Sequence, residues 1–109
     1  MTLPVIQVDH HLSAIIGFAC KSHQLIRGYN AVQKALEKKQ ILLVIFHHET
    51  SQGTIDKLRK ASDKEMIVFA STDPGTDWLS LWGIPSHKIL GVVTGELARN
   101  IIQKVRAGV

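Results

Sequence analysis

The sequence predicts an α/β protein in which helices cover both faces of a central sheet. Stretches with the apolar spacing of amphipathic helices alternate with short apolar stretches of strand length along the whole chain. No linker, repeat or low-complexity segment interrupts this alternation. Such a pattern is typical of a three-layer α/β/α sandwich. It leaves other small α/β folds open, including flavodoxin-like and thioredoxin-like arrangements.

The first predicted element is a helix, because apolar residues recur at the i, i+3, i+4 and i+7 positions of one helical face. These residues are Leu12, Ile15, Ile16 and Ala19. Asp9 is the predicted cap, and we expect the helix to run to about Cys20. Residues 24–27 then form a short predicted strand that ends at Gly28.

A second helix is predicted to begin near Tyr29 or Asn30 and to end in Lys38-Lys39, where basic side chains complement the helix dipole. Its inward face consists of Val32, Ala35 and Leu36. Residues 41–46 follow as a continuous apolar stretch, which indicates a central strand that is covered on both faces.

A third helix, a strand and a short fourth helix are predicted next. Ser51 is the expected cap of the third helix, whose inward face consists of Ile55, Leu58 and Ser62. Residues 66–69 form a buried strand, and residues 73–77 are rich in turn-forming residues. Thr76 is the predicted cap of a short helix that runs through Trp82.

The chain ends in a predicted strand and a predicted helix. Residues 89–93 are apolar and of strand length, and Thr94 is placed to cap the helix that follows. The inward face of this helix consists of Leu97, Ala98, Ile101 and Val105. Gly108 is expected to close it.

The composition is that of an ordinary globular protein, with 45% hydrophobic and 20% charged residues among 109. The net charge is +4, of which +3 falls within residues 1–40. This local excess attracts phosphate, but it is equally common on proteins that bind no nucleic acid. The lone Cys20 forms no internal disulfide, no signal peptide is visible, and the longest apolar stretch is too short to span a bilayer. We therefore expect a cytoplasmic protein without membrane association.

Two segments carry a family resemblance. Residues 16–36 read IGFACKSHQLIRGYNAVQKAL, and residues 89–98 read ILGVVTGELA. The first resembles bacterial ribosome-associated members of the L7Ae/L30e family of kink-turn RNA-binding ribosomal proteins, in which a short basic link and a short strand lead to Gly at a helix entrance. The second resembles the last strand and helix of that family. The resemblance implies a single L30e-like domain over residues 1–109, with a central mixed four-stranded sheet.

The resemblance also implies a binding site for structured RNA, of kink-turn or ribosomal type, where the glycine-ended strand meets the second helix. Free N–H groups at a helix start attract phosphate, and Asn30 offers a donor and an acceptor to a base edge. A neighbouring loop, residues 83–88, would add an apolar contact and a cation. The predicted site consists of Arg27, Gly28, Tyr29, Asn30, Gln33, Lys34, Lys38, Ile84 and Lys88.

Each of these residues also has a purely structural interpretation. Gly28 can serve a strand-to-helix turn, Asn30 can be a helix cap, and Tyr29 can be a half-buried packing residue. Lys34 and Lys38 alone would be a solvated helix face. RNA binding is favoured only by the convergence of these residues on one helix entrance together with the family resemblance.

One position departs from the family pattern. Kink-turn binders of the family carry Gly-x-Asn-Glu at this entrance, whereas the Glu position here is Ala31. Loss of one base contact costs on the order of 1–3 kcal/mol of discrimination. An alternative function is therefore a protein–protein interaction module on the same fold, with Trp78 and Trp82 as a core pair or as a contact patch for a protein partner.

No catalytic motif or phosphate-binding loop is present, so the sequence predicts neither an enzyme nor a cofactor. Six histidines include the pair His10-His11 and the run His47-His48-Glu49. Adjacent residues of a strand point to opposite faces, so neither pair is expected to make a good chelate alone. A small-ligand or metal site around His47 and His48 is a third and weaker alternative. His47 and His48 are interpreted as a polar strand end.

Overall fold

The computed structural model describes residues 5–6, 10–62, 67–73, 75–84 and 89–107, with side chains in residues 10–62, 67–73, 75–84 and 89–104. Five strands and five helices alternate along these residues. They are β1 Val5–Ile6, α1 His10–Lys21, β2 Leu25–Arg27, α2 Tyr29–Glu37, β3 Ile41–Phe46, α3 Gln52–Ala61, β4 Val68–Thr72, α4 Trp78–Trp82, β5 Ile89–Val93 and α5 Glu96–Ala107. Among the described helices, none is both long enough and apolar enough to cross a membrane.

The strands form one mixed sheet in the order β1-β4-β3-β5-β2. The first three strands of this order are mutually parallel, and β5 is antiparallel to both of its neighbours. All four predicted strands are present, and the predicted mixed sheet is confirmed. The two residues of β1 add a short fifth strand beside β4, with Val5 opposite Ser71 and Ile6 opposite Thr72.

Helices pack on both faces of the sheet, which confirms the predicted three-layer sandwich. On one face, α1, α4 and α5 bury Leu12, Ile16, Trp78, Trp82, Ala98, Ile101 and Ile102 against the sheet. On the other face, α2 and α3 bury Val32, Ala35, Leu36, Ile55 and Leu58. We call these the three-helix core and the two-helix core.

The central strand β3 joins the two cores, as its continuous apolar sequence predicts. Leu43 and Ile45 belong to the three-helix core, whereas Val44 and Phe46 point into the two-helix core. Ile41 also lies in the two-helix core, because the pairing of β3 with β5 shifts register between Ile41 and Leu43. Burial of both faces explains why this strand has no polar residue.

Strand β4 and helix α4 differ from their predicted boundaries. Strand β4 extends to Thr72, whose hydroxyl donates a hydrogen bond to the Phe46 carbonyl at 3.4 Å. Helix α4 is capped by Asp77 and not by Thr76, because the Asp77 carboxylate accepts hydrogen bonds from the backbone N–H groups of Leu79 and Ser80. The Thr76 hydroxyl instead bonds the Asp73 carboxylate within the preceding turn.

The predicted cap of α3 is confirmed, since the Ser51 hydroxyl accepts a hydrogen bond from the Thr54 N–H at 3.3 Å. The roles predicted for Asp9, Met66 and Gly108, and the inward side chain of Val105, lie outside the described residues and side chains.

Candidate nucleic-acid interface

The carboxyl ends of the parallel strands meet at one edge of the sheet, which we call the carboxyl edge. It contains the last residues of β2, β3 and β4 and the first residue of β5, which are Arg27, Phe46, Thr72 and Ile89. The register confirms this grouping, because Phe46 lies opposite both Ser71 and Ile89, and Arg27 lies opposite Leu90. Helices α2, α3 and α4 each follow one of these strand ends, so their positive dipole ends face this edge.

The entrance of α2 depends on Gly28, which has φ 95° and ψ 153°. Residues other than glycine rarely adopt this conformation. The Gly28 N–H donates to the Ile89 carbonyl at 3.1 Å, and the Gly28 carbonyl accepts from the Val32 N–H at 3.0 Å. The interpretation of Gly28 as a turn residue therefore has a direct structural cause. Close approach of RNA to this glycine stays a prediction.

The start of α2 differs from the starts of α3 and α4 in its capping. Gly28 is the residue before the helix, and no side chain caps it. Among the described residues, none accepts a hydrogen bond from the N–H groups of residues 29–31. Helices α3 and α4, in contrast, have side-chain caps at Ser51 and Asp77. The start of α2 thus presents uncapped donors to an anion.

The outer face of α2 is polar. Asn30, Lys34 and Lys38 are exposed, and Gln33 is half-buried. Asn30 lies inside the first turn and not before it, so its interpretation as the helix cap is wrong. Because Asn30 and Lys34 are four residues apart, their side chains lie one above the other on the solvent face.

Arg27 and Tyr29 flank the glycine in different environments. Arg27 is exposed at the end of β2. Tyr29 is half-buried and packs against the two-helix core, which favours its interpretation as a packing residue. The structure therefore places Arg27, Asn30, Lys34 and the start of α2 together, with the Tyr29 ring partly withdrawn from solvent.

In the neighbouring loop, residues 83–88, one residue does not have the position that the sequence predicts. Ile84 is only 1% exposed and belongs to the three-helix core, so its predicted role as an apolar RNA contact is wrong. It follows Gly83, which ends α4 in the left-handed conformation. An apolar residue after such a glycine commonly packs back onto the helix, and this sequence pattern could have indicated the burial. Lys88 lies outside the described residues.

The predicted tryptophan contact patch is also wrong, because both rings are buried. Trp78 is 3% exposed and Trp82 is 8% exposed, and their ring centroids lie 5.8 Å apart. The Trp78 Nε1 donates to the Thr72 Oγ1 at 3.1 Å, and the Trp82 Nε1 donates to the Ser13 carbonyl at 3.1 Å. The pair fills the three-helix core, which was the other interpretation that the sequence left open.

The run His47-His48-Glu49 does not continue β3. The strand ends at Phe46, and the three residues lie in a turn. The premise that the two histidines point to opposite faces of a strand is therefore wrong. One ligand atom from each of the three side chains lies within 4.8 Å of the others.

The family model of the ribosomal protein L7Ae/L30e/S12e/Gadd45 family matches residues 11–74, which are more than half of the chain. A search of curated proteins found no match. Among solved structures, a protein of unknown function from Bacillus halodurans is 22% identical, with a TM-score of 0.72 over 86% of this chain and 95% of that chain. The 15.5kD RNA binding protein of Giardia lamblia is 13% identical, with a TM-score of 0.68 over 90% and 83%. At these identities the two structures show a shared fold.

Proposed function

Because the chain belongs to the ribosomal protein L7Ae/L30e/S12e/Gadd45 family, we propose that it is a cytoplasmic, non-catalytic RNA-binding protein that forms a single domain. It binds structured RNA at the entrance of α2. One observation carries the proposal: the uncapped N–H groups of residues 29–31 lie beside the exposed side chains of Asn30 and Lys34. The Giardia lamblia protein that shares this fold is an RNA-binding protein, which supports the proposal.

The geometry suits a phosphate and a base together. The helix start offers N–H donors and the positive end of the dipole to a phosphate oxygen. Asn30 can pair with a base edge through its amide, and Lys34, one turn further on, can neutralise the next phosphate. Gly28 has no Cβ, so the sugar-phosphate backbone can approach the turn closely.

The positive charge at this entrance is modest. Arg27, Lys34 and Lys38 are exposed cations on or next to α2, whereas Glu37 is an exposed acid on the same helix. Each phosphate contact contributes about 0.7–0.9 to the slope of log K against log salt. We therefore expect a shallow salt dependence with a slope of roughly 2–3 for three cations.

The proposed target is structured RNA of kink-turn or ribosomal type. Ala31 is exposed in the first turn of α2, at the position where the family pattern has Glu. Its methyl group offers no hydrogen bond, so we propose weaker discrimination for sheared G·A pairs than a Gly-x-Asn-Glu entrance provides.

The experiment compares two matched double variants in a salt-titrated binding assay with kink-turn RNA and ribosomal RNA fragments. Asn30→Ala with Lys34→Ala removes the proposed contacts. Asn100→Ala with Lys104→Ala is the control, because this pair has the same residue types, the same i, i+4 spacing and the same exposure on α5. Helix α5 packs on the opposite face of the sheet from α2.

We expect the α2 variant to lose about 1–3 kcal/mol of binding free energy and about one unit of salt slope. The α5 variant should bind as the unchanged chain does. Equal effects of the two variants would refute the site. Absence of RNA binding by the unchanged chain at low salt would refute the proposed function. The protein-interaction alternative would then rest on Ala31 alone, because the buried tryptophan pair no longer supports it.

A further inference from the structure

The turn after β3 brings three candidate metal ligands to one point of the carboxyl edge. The Thr50 N–H donates to the His47 carbonyl at 3.0 Å, which closes a four-residue turn with His48 and Glu49 at its centre. A turn cancels the alternation of a strand, so consecutive side chains can face one another. The His47 and His48 ring centroids lie 4.2 Å apart.

The His47 ring is held from below by the three-helix core. The His47 and Trp78 rings make a T-shaped contact, with 5.5 Å between the two centroids and an interplanar angle of 75°. Trp78 is itself fixed, because its Nε1 donates to the Thr72 Oγ1, and Thr72 donates to the carbonyl of Phe46, the residue before His47. The His47 side chain is 20% exposed, so the ring is packed against Trp78 and still reaches solvent in part.

The Nδ1 atom of His47 faces Glu49. It accepts a hydrogen bond from the Glu49 N–H at 3.2 Å, and it lies 3.7 Å from the Glu49 Oε1. Two bonds of about 2.0–2.2 Å from one metal ion span a separation of this size. The Nδ1 lone pair therefore points toward Glu49, and a bound ion would replace the backbone hydrogen bond that this lone pair accepts.

We propose that His47, His48 and Glu49 bind one divalent transition-metal ion of the Zn²⁺ class. The proposed ligands are the His47 Nδ1, a ring nitrogen of His48 and the Glu49 carboxylate. One ligand atom of each side chain lies within 4.8 Å of the others. Two imidazoles and one carboxylate suit Zn²⁺, Co²⁺ and Ni²⁺ better than the oxygen-seeking Mg²⁺ and Ca²⁺. With three protein ligands, a fourth position remains for water or another donor.

Glu49 is the ligand on which affinity depends most. Helix α3 begins at Gln52, so its positive dipole end lies close to the turn and opposes a cation. The two imidazoles are neutral as ligands, and the carboxylate supplies the only negative charge of the set. This site shares no residue with the proposed RNA-binding entrance, and the inference does not rest on the proposed function.

The test is calorimetric titration of the untagged chain with Zn²⁺, together with absorption spectroscopy of the Co²⁺-loaded chain. His48→Ala and Glu49→Gln change exposed residues of the turn, so the fold should persist, which circular dichroism can verify. The matched control is His10→Ala with His11→Ala, because this second pair of adjacent histidines is also exposed and lies at the start of α1.

We expect one ion per chain, with affinity reduced about tenfold or more in each turn variant and unchanged in the control. The ¹⁵N spectra of the imidazoles should show shifts at His47 and His48 on Zn²⁺ addition. Three results would overturn the proposal: no Zn²⁺ binding, unchanged affinity in both turn variants, or loss of binding in the His10 and His11 control. Binding of Mg²⁺ as tight as that of Zn²⁺ would contradict the proposal that imidazole nitrogens coordinate the ion.

Discussion

Replacing Gly28 by alanine tests whether the backbone at the α2 entrance requires glycine. The residue has φ 95° and ψ 153°, a combination that costs a residue with a Cβ about 1–3 kcal/mol. The neighbouring backbone resists relaxation. To rotate φ freely, the chain would have to break both the bond from the Gly28 N–H to Ile89 and the bond from Val32 to the Gly28 carbonyl.

The loss of stability can arise by two routes. Either alanine keeps the strained backbone conformation, or the backbone relaxes and loses the two hydrogen bonds. Each backbone hydrogen bond contributes about 0.5–1.5 kcal/mol net, so breaking both costs roughly as much as the strain itself. By either route we expect the free energy of unfolding to fall by about 1–3 kcal/mol. For a chain of this size that loss lowers the melting temperature by roughly 4–12 °C.

Gly53→Ala is the matched control within the same chain. Gly53 lies in α3, is exposed, and has no atom within 4 Å of the position that a Cβ would occupy. Alanine there should stabilise the protein by about 0.4–1 kcal/mol, because it restricts the unfolded chain and favours the helix. Urea unfolding followed by circular dichroism measures both variants. The reasoning is refuted if the two substitutions shift stability in the same direction.

The other predictions concern α4. Trp82→Ala should lower the free energy of unfolding by about 3–5 kcal/mol, because it removes a buried ring and its hydrogen bond to Ser13. Calorimetry measures this loss of stability. A change in self-association with unaltered stability would contradict the prediction. The Ser80 hydroxyl holds the pKa of Asp77 below its ordinary value of 3.8. The stability from this group is present above that value and lost as pH falls through the lower pKa of the folded state, so the melting-temperature advantage over Asp77→Asn should narrow as pH falls below 3.8. A pH-independent difference would count against this assignment.

Much of the fold could be predicted because its helices show a clear apolar period and its central strand is apolar on both faces. The stretch 41–46 could only be a strand covered on both faces, and the spacing in α2 placed Val32, Ala35 and Leu36 inside, where the structure has them. Helix α4 was harder, because its five residues are too few to show a period. Thr76 and Asp77 could both cap it from the sequence alone. In the structure the Thr76 hydroxyl bonds Asp73, and Asp77 is the cap.

The position of the candidate residues on α2 was predicted correctly, whereas the exposed position expected of Ile84 was wrong. Asn30 and Lys34 follow from helical geometry alone, whereas the burial of Ile84 depends on a glycine that turns the chain back onto the core. The convergence of His47 with Glu49 depends on where β3 ends, which apolar patterning does not specify to one residue. The open N–H groups of α2 could have been inferred from Gly28, since glycine has no side chain with which to cap.

The two outer strands of the sheet are β1, with two residues, and β2, with three. Along these described residues, an incoming extended peptide would find too few unpaired backbone groups to form a continuous ladder. These short described edges therefore give strand addition and edge-to-edge aggregation little to build on. The start of α2 at the carboxyl edge, in contrast, offers a partner backbone donors that no described side chain caps.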